Sequence, residues 1–159
     1  MRINNGGKFI VAIVVAQLAG IVGALFTTPS IASWYAELER PALSPPNWVF
    51  GPVWTTLFLL MGVAAFLVWR RGLGRRDVRL ALGVFLLQLV LNTFWSVLFF
   101  GLHMPGAALI EIVVLWVAIC ATIGMFLRVS RPAAYLLSPY IVWVSFAAYL
   151  NYAIWTLNG

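Results

Sequence analysis

The chain has 159 residues, 64% hydrophobic and 9% charged, with a mean hydropathy of +1.00. A soluble domain is roughly half apolar and about a quarter charged, so ten basic and four acidic side chains cannot cover a water-exposed surface of this size, and lipid must be the solvent for most of it. The net charge of +6 does not imply a nucleic-acid partner, because Arg70, Arg71, Arg75, Arg76 and Arg79 crowd between two apolar runs, as in a cytoplasmic loop beside anionic headgroups.

A bilayer-spanning helix needs about 20 apolar residues. Five runs qualify, predicting an all-α membrane protein of one domain, residues 1–159. The first span covers about 9–26, before Thr27, Thr28 and Pro29. Arg2 and Lys8 precede it, and Ser30-Ile31-Ala32 resembles a cleavage site, but the run exceeds the core of about 7–15 residues of a secretory signal. It also carries Ala12, Ala16, Gly20 and Ala24 at four-residue spacing, a stripe that permits close helix packing. That contact can lie within one chain or between two. A loop over 27–47 follows, stiffened by Pro29, Pro41, Pro45 and Pro46 and carrying Trp34 and Tyr35; it reads as a lid. The second span covers 48–69, the third 80–100 and the fourth 105–127, with Pro105 suited to a first helical turn. The fifth covers 133–157, its first turns bent by Pro139. Cys120, the single cysteine, lies mid-helix and excludes an intrachain disulfide.

Lys and Arg in the loops set direction. They are frequent before the first span, after the second and after the fourth, and sparse after the first, third and fifth. This alternation predicts an N-terminus inside and a C-terminus outside. With that direction, polar and aromatic residues gather in the outer half. Gln88, Asn92, Trp95 and Ser96 share one face of the third span, Trp54 and Phe58 pair at i, i+4 in the second, and Trp143, Ala147 and Asn151 align in the fifth. Such a face suits a cavity for a flat, largely apolar ligand with polar edges; Gln88 and Asn92 can equally serve hydrogen bonds between helices. Glu111, two turns into the fourth span, reads as reaching water or a neighbouring backbone. Trp48 and Trp69 read as interface anchors, and His103 as a polar loop residue rather than a haem ligand.

Several segments carry a family resemblance. The run Trp34-Tyr35-Ala36-Glu37-Leu38-Glu39-Arg40-Pro41, the run Ser44-Pro45-Pro46-Asn47-Trp48-Val49-Phe50-Gly51-Pro52-Val53-Trp54, Gln88 to Asn92, Trp95 to Gly101, and Ser138-Pro139-Tyr140 through Asn151-Tyr152 together resemble the TspO/MBR family. These are the tryptophan-rich sensory proteins related to the mitochondrial translocator protein, or peripheral benzodiazepine receptor. The resemblance implies a five-helix bundle, often a homodimer, whose pocket is closed by the first loop and binds porphyrins such as protoporphyrin IX and haem. Carried over by motif, the pocket residues are Tyr35, Pro45, Trp54, Phe58, Gln88, Asn92, Trp95, Ser96, Trp143 and Ala147. Trp54 and Trp143 match the tryptophans implicated in light-dependent porphyrin breakdown. Leu43 replaces a usual Trp in the lid, and the C-terminal sterol motif lacks its basic residue after Leu150 and Tyr152.

The expectation is therefore a multi-pass protein of a bacterial cell membrane that senses porphyrins and partners membrane lipids. No cofactor is required and no metal is expected. Photo-oxidative porphyrin breakdown at Trp54 and Trp143 is the second reading, since no conventional catalytic constellation exists. Transport is the third, disfavoured by an odd helix count without an inverted repeat.

Overall fold

A backbone in hydrocarbon finds no water to bond, so each apolar run closes its own hydrogen bonds as a helix. The computed structural model describes residues 4–159 and holds five helices long and apolar enough to cross a bilayer. Among the described residues there is no strand. Arg2, part of the charge argument, lies outside them.

The first span, α1 (Asn5–Ile31), starts where the Asn4 side chain accepts the Gly7 N–H at 2.8 Å. It runs five residues past the expected end and contains Pro29. Thr27 does not cap it; its hydroxyl donates back to the Gly23 carbonyl at 3.1 Å. Proline costs a helix one backbone bond, and Pro29 sits where the last turn is ending. The predicted lid therefore shrinks to 32–46, and it includes a one-turn helix, α2 (Trp34–Glu37). The second span is α3 (Asn47–Trp69). The third begins earlier than expected, as α4 (Arg76–Ser96), and ends in a π turn over Val97–Gly101. The extra residue in that turn lets the neighbours Phe99 and Phe100 both be buried. The fourth, α5 (Pro105–Val129), has proline in its first turn. The fifth breaks at Leu137 into α6 (Arg131–Leu136) and α7 (Ser138–Asn158), with Pro139 in the first turn of α7. Pro139 thus acts as a helix starter, where a bend within one helix was expected.

The spans close a ring. α1 packs on α3 and α4, α4 on α5, and α5 on α7, while α3 meets the fifth span mainly through α6. The end carrying Arg70 to Arg79 is filled with Val68, Val78 and Ala81 around a stacked Phe85–Phe126 pair, 5.8 Å between centroids. At the opposite, lid-bearing end the core is aromatic, built on Tyr35, Phe99 and Phe100. Ile110 and Val142, 72% and 69% exposed, point outward; in a spanning bundle such residues face lipid, not water.

The small-residue stripe serves contact inside one chain. Ala12 and Ala16 are buried. A Cβ on Gly20 would meet the Phe58 ring at 2.5 Å, and one on Gly62 would meet the Ile13 Cα at 2.8 Å. Glycine alone permits that approach of α1 to α3.

Candidate functional site

The lid-bearing half of the ring encloses a cavity of about 260 Å³. Its walls come from α1, α3, α4 and α7, and its roof from the lid. Eight of the ten expected residues line it: Tyr35, Trp54, Phe58, Asn92, Trp95, Ser96, Trp143 and Ala147. On one side Trp54 lies tilted against Phe58 at 5.6 Å between centroids and edge-on to Tyr140 at 6.4 Å. Phe50 meets Trp143 edge-on at 6.1 Å, bridging α3 and α7. On the other side Trp95 stacks on Phe99 at 5.2 Å. Edge-to-face and offset contacts of this kind fix ring orientation as well as burying area.

Two polar networks hold these walls. The Tyr140 hydroxyl donates to Gln88 Oε1 at 2.7 Å and accepts from Asn92 Nδ2 at 2.8 Å. Trp95 Nε1 donates to Asn151 Oδ1 at 3.0 Å, and Asn151 Nδ2 donates to the Pro105 carbonyl at 2.7 Å. Polar side chains in hydrocarbon need partners, and here each satisfies another while positioning a ring. One donor is left over: the indole N–H of Trp143 is buried and has no partner.

The remaining two expected residues do not reach the cavity. Gln88 is 1% exposed and lies off the lining, held by Tyr140 and within 3.7 Å of the Met61 sulfur. It positions Tyr140, so its helix-to-helix role is the one realised. Pro45 belongs to a shallow surface cleft with Leu38, Arg40, Pro41, Ser44 and Pro46. The lid sends only Tyr35 inward, because the chain must climb over the outside to start α3 at Asn47. Glu111 departs from expectation as well: both carboxylate oxygens are buried and neither has a partner, so it reaches neither water nor a backbone N–H. His103 stacks on Trp34 at 4.3 Å in the loop, outside the lining. No cluster of three metal-ligating side chains occurs among the described residues.

Sequence reasoning missed Tyr140, which supports the site one turn before Trp143, and the whole α1 wall, including Gly20, Gly23, Ala24 and Thr27. Tyr140 was detectable as i−3 to Trp143 on the same helical face. The α1 wall has little polar signal; its contribution is the room left by small side chains.

The lid is fastened just before its start and at its middle. Ser30 Oγ donates to the Phe100 carbonyl at 2.6 Å. Asn158, at the end of α7, forms a reciprocal pair with Glu39: its Nδ2 donates to the Glu39 carbonyl at 2.9 Å and its Oδ1 accepts the Glu39 N–H at 3.0 Å. Between them Tyr35 is 3% exposed, with the Arg40 guanidinium 5.3 Å above its ring. Burial pushes the Tyr35 phenol above its ordinary pKa, opposed by the Arg40 charge. The phenol therefore stays neutral at physiological pH and can act as a donor.

A ring of five spans around an aromatic, lid-covered cavity defines a multi-pass integral membrane protein with an internal chamber. The TspO/MBR family model matches residues 11–156, and the chain belongs to that family. It is 48% identical over 140 residues to the tryptophan-rich protein TspO of Chlorobaculum tepidum, covering 87% of this chain and 88% of that one. It is 44% identical over 152 residues to the protein of the same name from Archaeoglobus fulgidus, covering 96% and 97%. Against the human translocator protein it is 40% identical over 144 residues, covering 89% and 85%.

Proposed function

We propose that this protein is a membrane receptor that senses porphyrin-type ligands in the lid-covered cavity. The observation that carries this reading is the unpartnered Trp143 indole N–H in an aromatic wall that also presents Asn92 and Ser96. A buried donor without an acceptor is costly, and a ligand with an acceptor on its rim relieves that cost. Flat apolar rings fit between Trp54, Trp95 and Trp143 by stacking. The names of relatives support the sensory role, including a tryptophan-rich sensory protein of Cereibacter sphaeroides, 36% identical over 140 residues. The cavity of about 260 Å³ lies at the low end of drug-sized ligand sites, about 300–1,000 Å³. A macrocycle enters only if a wall parts.

The charge alternation supports a lid-bearing end facing outward and the Arg70–Arg79 end facing the cytoplasm. The test of the binding reading is a titration of the nanodisc-embedded protein with protoporphyrin IX, followed by tryptophan quenching. Trp143→Phe keeps an aromatic group but removes the donor and shrinks the indole to a single ring, so affinity falls by at least the worth of one hydrogen bond, about 0.5–1.5 kcal/mol or three- to tenfold. No saturable binding to the wild type would overturn the reading.

A photochemical role is a second reading, favoured by Trp54 and Trp143 lining the same chamber from α3 and α7. Under illumination the bound porphyrin's absorbance decays, and the Trp54→Phe, Trp143→Phe double variant slows that decay. An unchanged rate rejects the role.

A further inference from the structure

The geometry points to a lateral portal between α1 and α3, through which bilayer-dissolved, flat lipophilic ligands enter the cavity without passing the lid. This rests on the binding reading above and adds the route.

The cavity-lining residues that are also well exposed are confined to two helices: Ile21, Ala24 and Thr28 on α1, and Gly51 and Thr55 on α3. A residue that touches both the interior space and the outside marks an opening. At a rise of about 1.5 Å per residue, Ile21 to Thr28 lie about 5–15 Å below the Ile31 end of α1, and Thr55 lies about 12 Å below the start of α3. The flank is apolar, with Leu18, Val22 and Leu25 exposed. The opening therefore faces acyl chains.

Two other routes are shut. The α1/α4 side is sealed by Thr93 Oγ1 donating to the Ala19 carbonyl at 3.1 Å and by Ser96 Oγ packing 3.1 Å from where a Gly23 Cβ would stand. The lid is pinned by Ser30 and by the Asn158–Glu39 pair. Below the opening α1 and α3 lock together at Gly62 and Ile13. The lower margin carries one weak cross-tie, Gln17 Nε2 to the Thr55 carbonyl at 3.2 Å. Above it the lining residues at the gap are Ile21, Ala24 and Thr28 on α1 and Gly51 on α3, mostly small, and a Cβ on Gly51 would meet no atom within 4 Å. A small-residue gap over a packed lower seam lets α1 and α3 part at one end without unfolding.

The experiment measures association and dissociation rates of protoporphyrin IX with the full chain in lipid nanodiscs by stopped-flow quenching. Ala24→Phe and Thr55→Phe, on opposite sides of the opening, each narrow it; both rates fall about tenfold. A side chain that only crowded the chamber would instead speed dissociation. Asn158→Ala, which frees the lid from α7, leaves association within twofold of wild type. The portal is overturned if Asn158→Ala accelerates association severalfold, or if both phenylalanine variants load at the wild-type rate. Asn158→Ala decides the matter even if neither phenylalanine variant folds. Failure of the wild type to bind would overturn the binding reading itself, whereas normal binding with unaltered rates in the variants would remove only the portal.

Discussion

The Tyr140 hydroxyl serves two amides on another helix, one as donor and one as acceptor. Tyr140→Phe strands the Asn92 amide and the Gln88 carbonyl in the bundle interior. The expected cost is about 1–3 kcal/mol, read as a lower thermal midpoint in detergent, and the Trp54 wall loosens with it. Glu111 presents the opposite case. Its carboxylate is buried with no hydrogen-bond partner, an arrangement that costs stability. Glu111→Gln keeps the shape and removes the ionisable group; the thermal midpoint stays level or rises. A fall of several degrees would mean that the carboxylate has a stabilising partner. Both residues were visible as sequence letters. Their roles were not, because a side chain's hydrogen-bond partner lies on another helix and depends on rotation about each helix axis.

Among the elements, the α1/α3 pair is where small residues matter most. Gly62→Ala drives a methyl group into the Ile13 backbone and is expected to destabilise by about 1–3 kcal/mol, as overpacking does. Gly83, in α4, has open space around it. Gly83→Ala therefore gains helix propensity of about 0.5–1 kcal/mol. Opposite shifts of the two thermal midpoints test the packing directly. Ala12, Ala16 and Gly20 were legible as a packing stripe, but their partner was not, since periodicity marks a face and leaves its neighbour open. Helix ends were less legible. Thr27, Thr28 and Pro29 look like a stop, yet α1 runs to Ile31 because threonine hydroxyls can bond back to the preceding turn.

For the whole molecule, orientation is tested by labelling from one side. In a Cys120→Ser background, Gly74→Cys reacts with an impermeant maleimide only after the membrane is opened, while Asn158→Cys reacts in intact cells. The reverse pattern would invert the proposed topology. The bundle also has unequal ends, with the polar networks and most of the tryptophans under the lid. The amino-acid sequence alone determined the five spans, the side to which aromatic and amide side chains gather, and seven of the eight expected residues that line the cavity, because lipid imposes helices and helical spacing then fixes which residues share a face; the eighth, Tyr35, came only from the family resemblance. Only the tertiary structure decided that Pro45 lies outside, that Gln88 supports Tyr140 from beneath, and that the lid is fastened by Asn158. Each of these depends on the register and distance between different helices, which no periodicity within a single segment encodes.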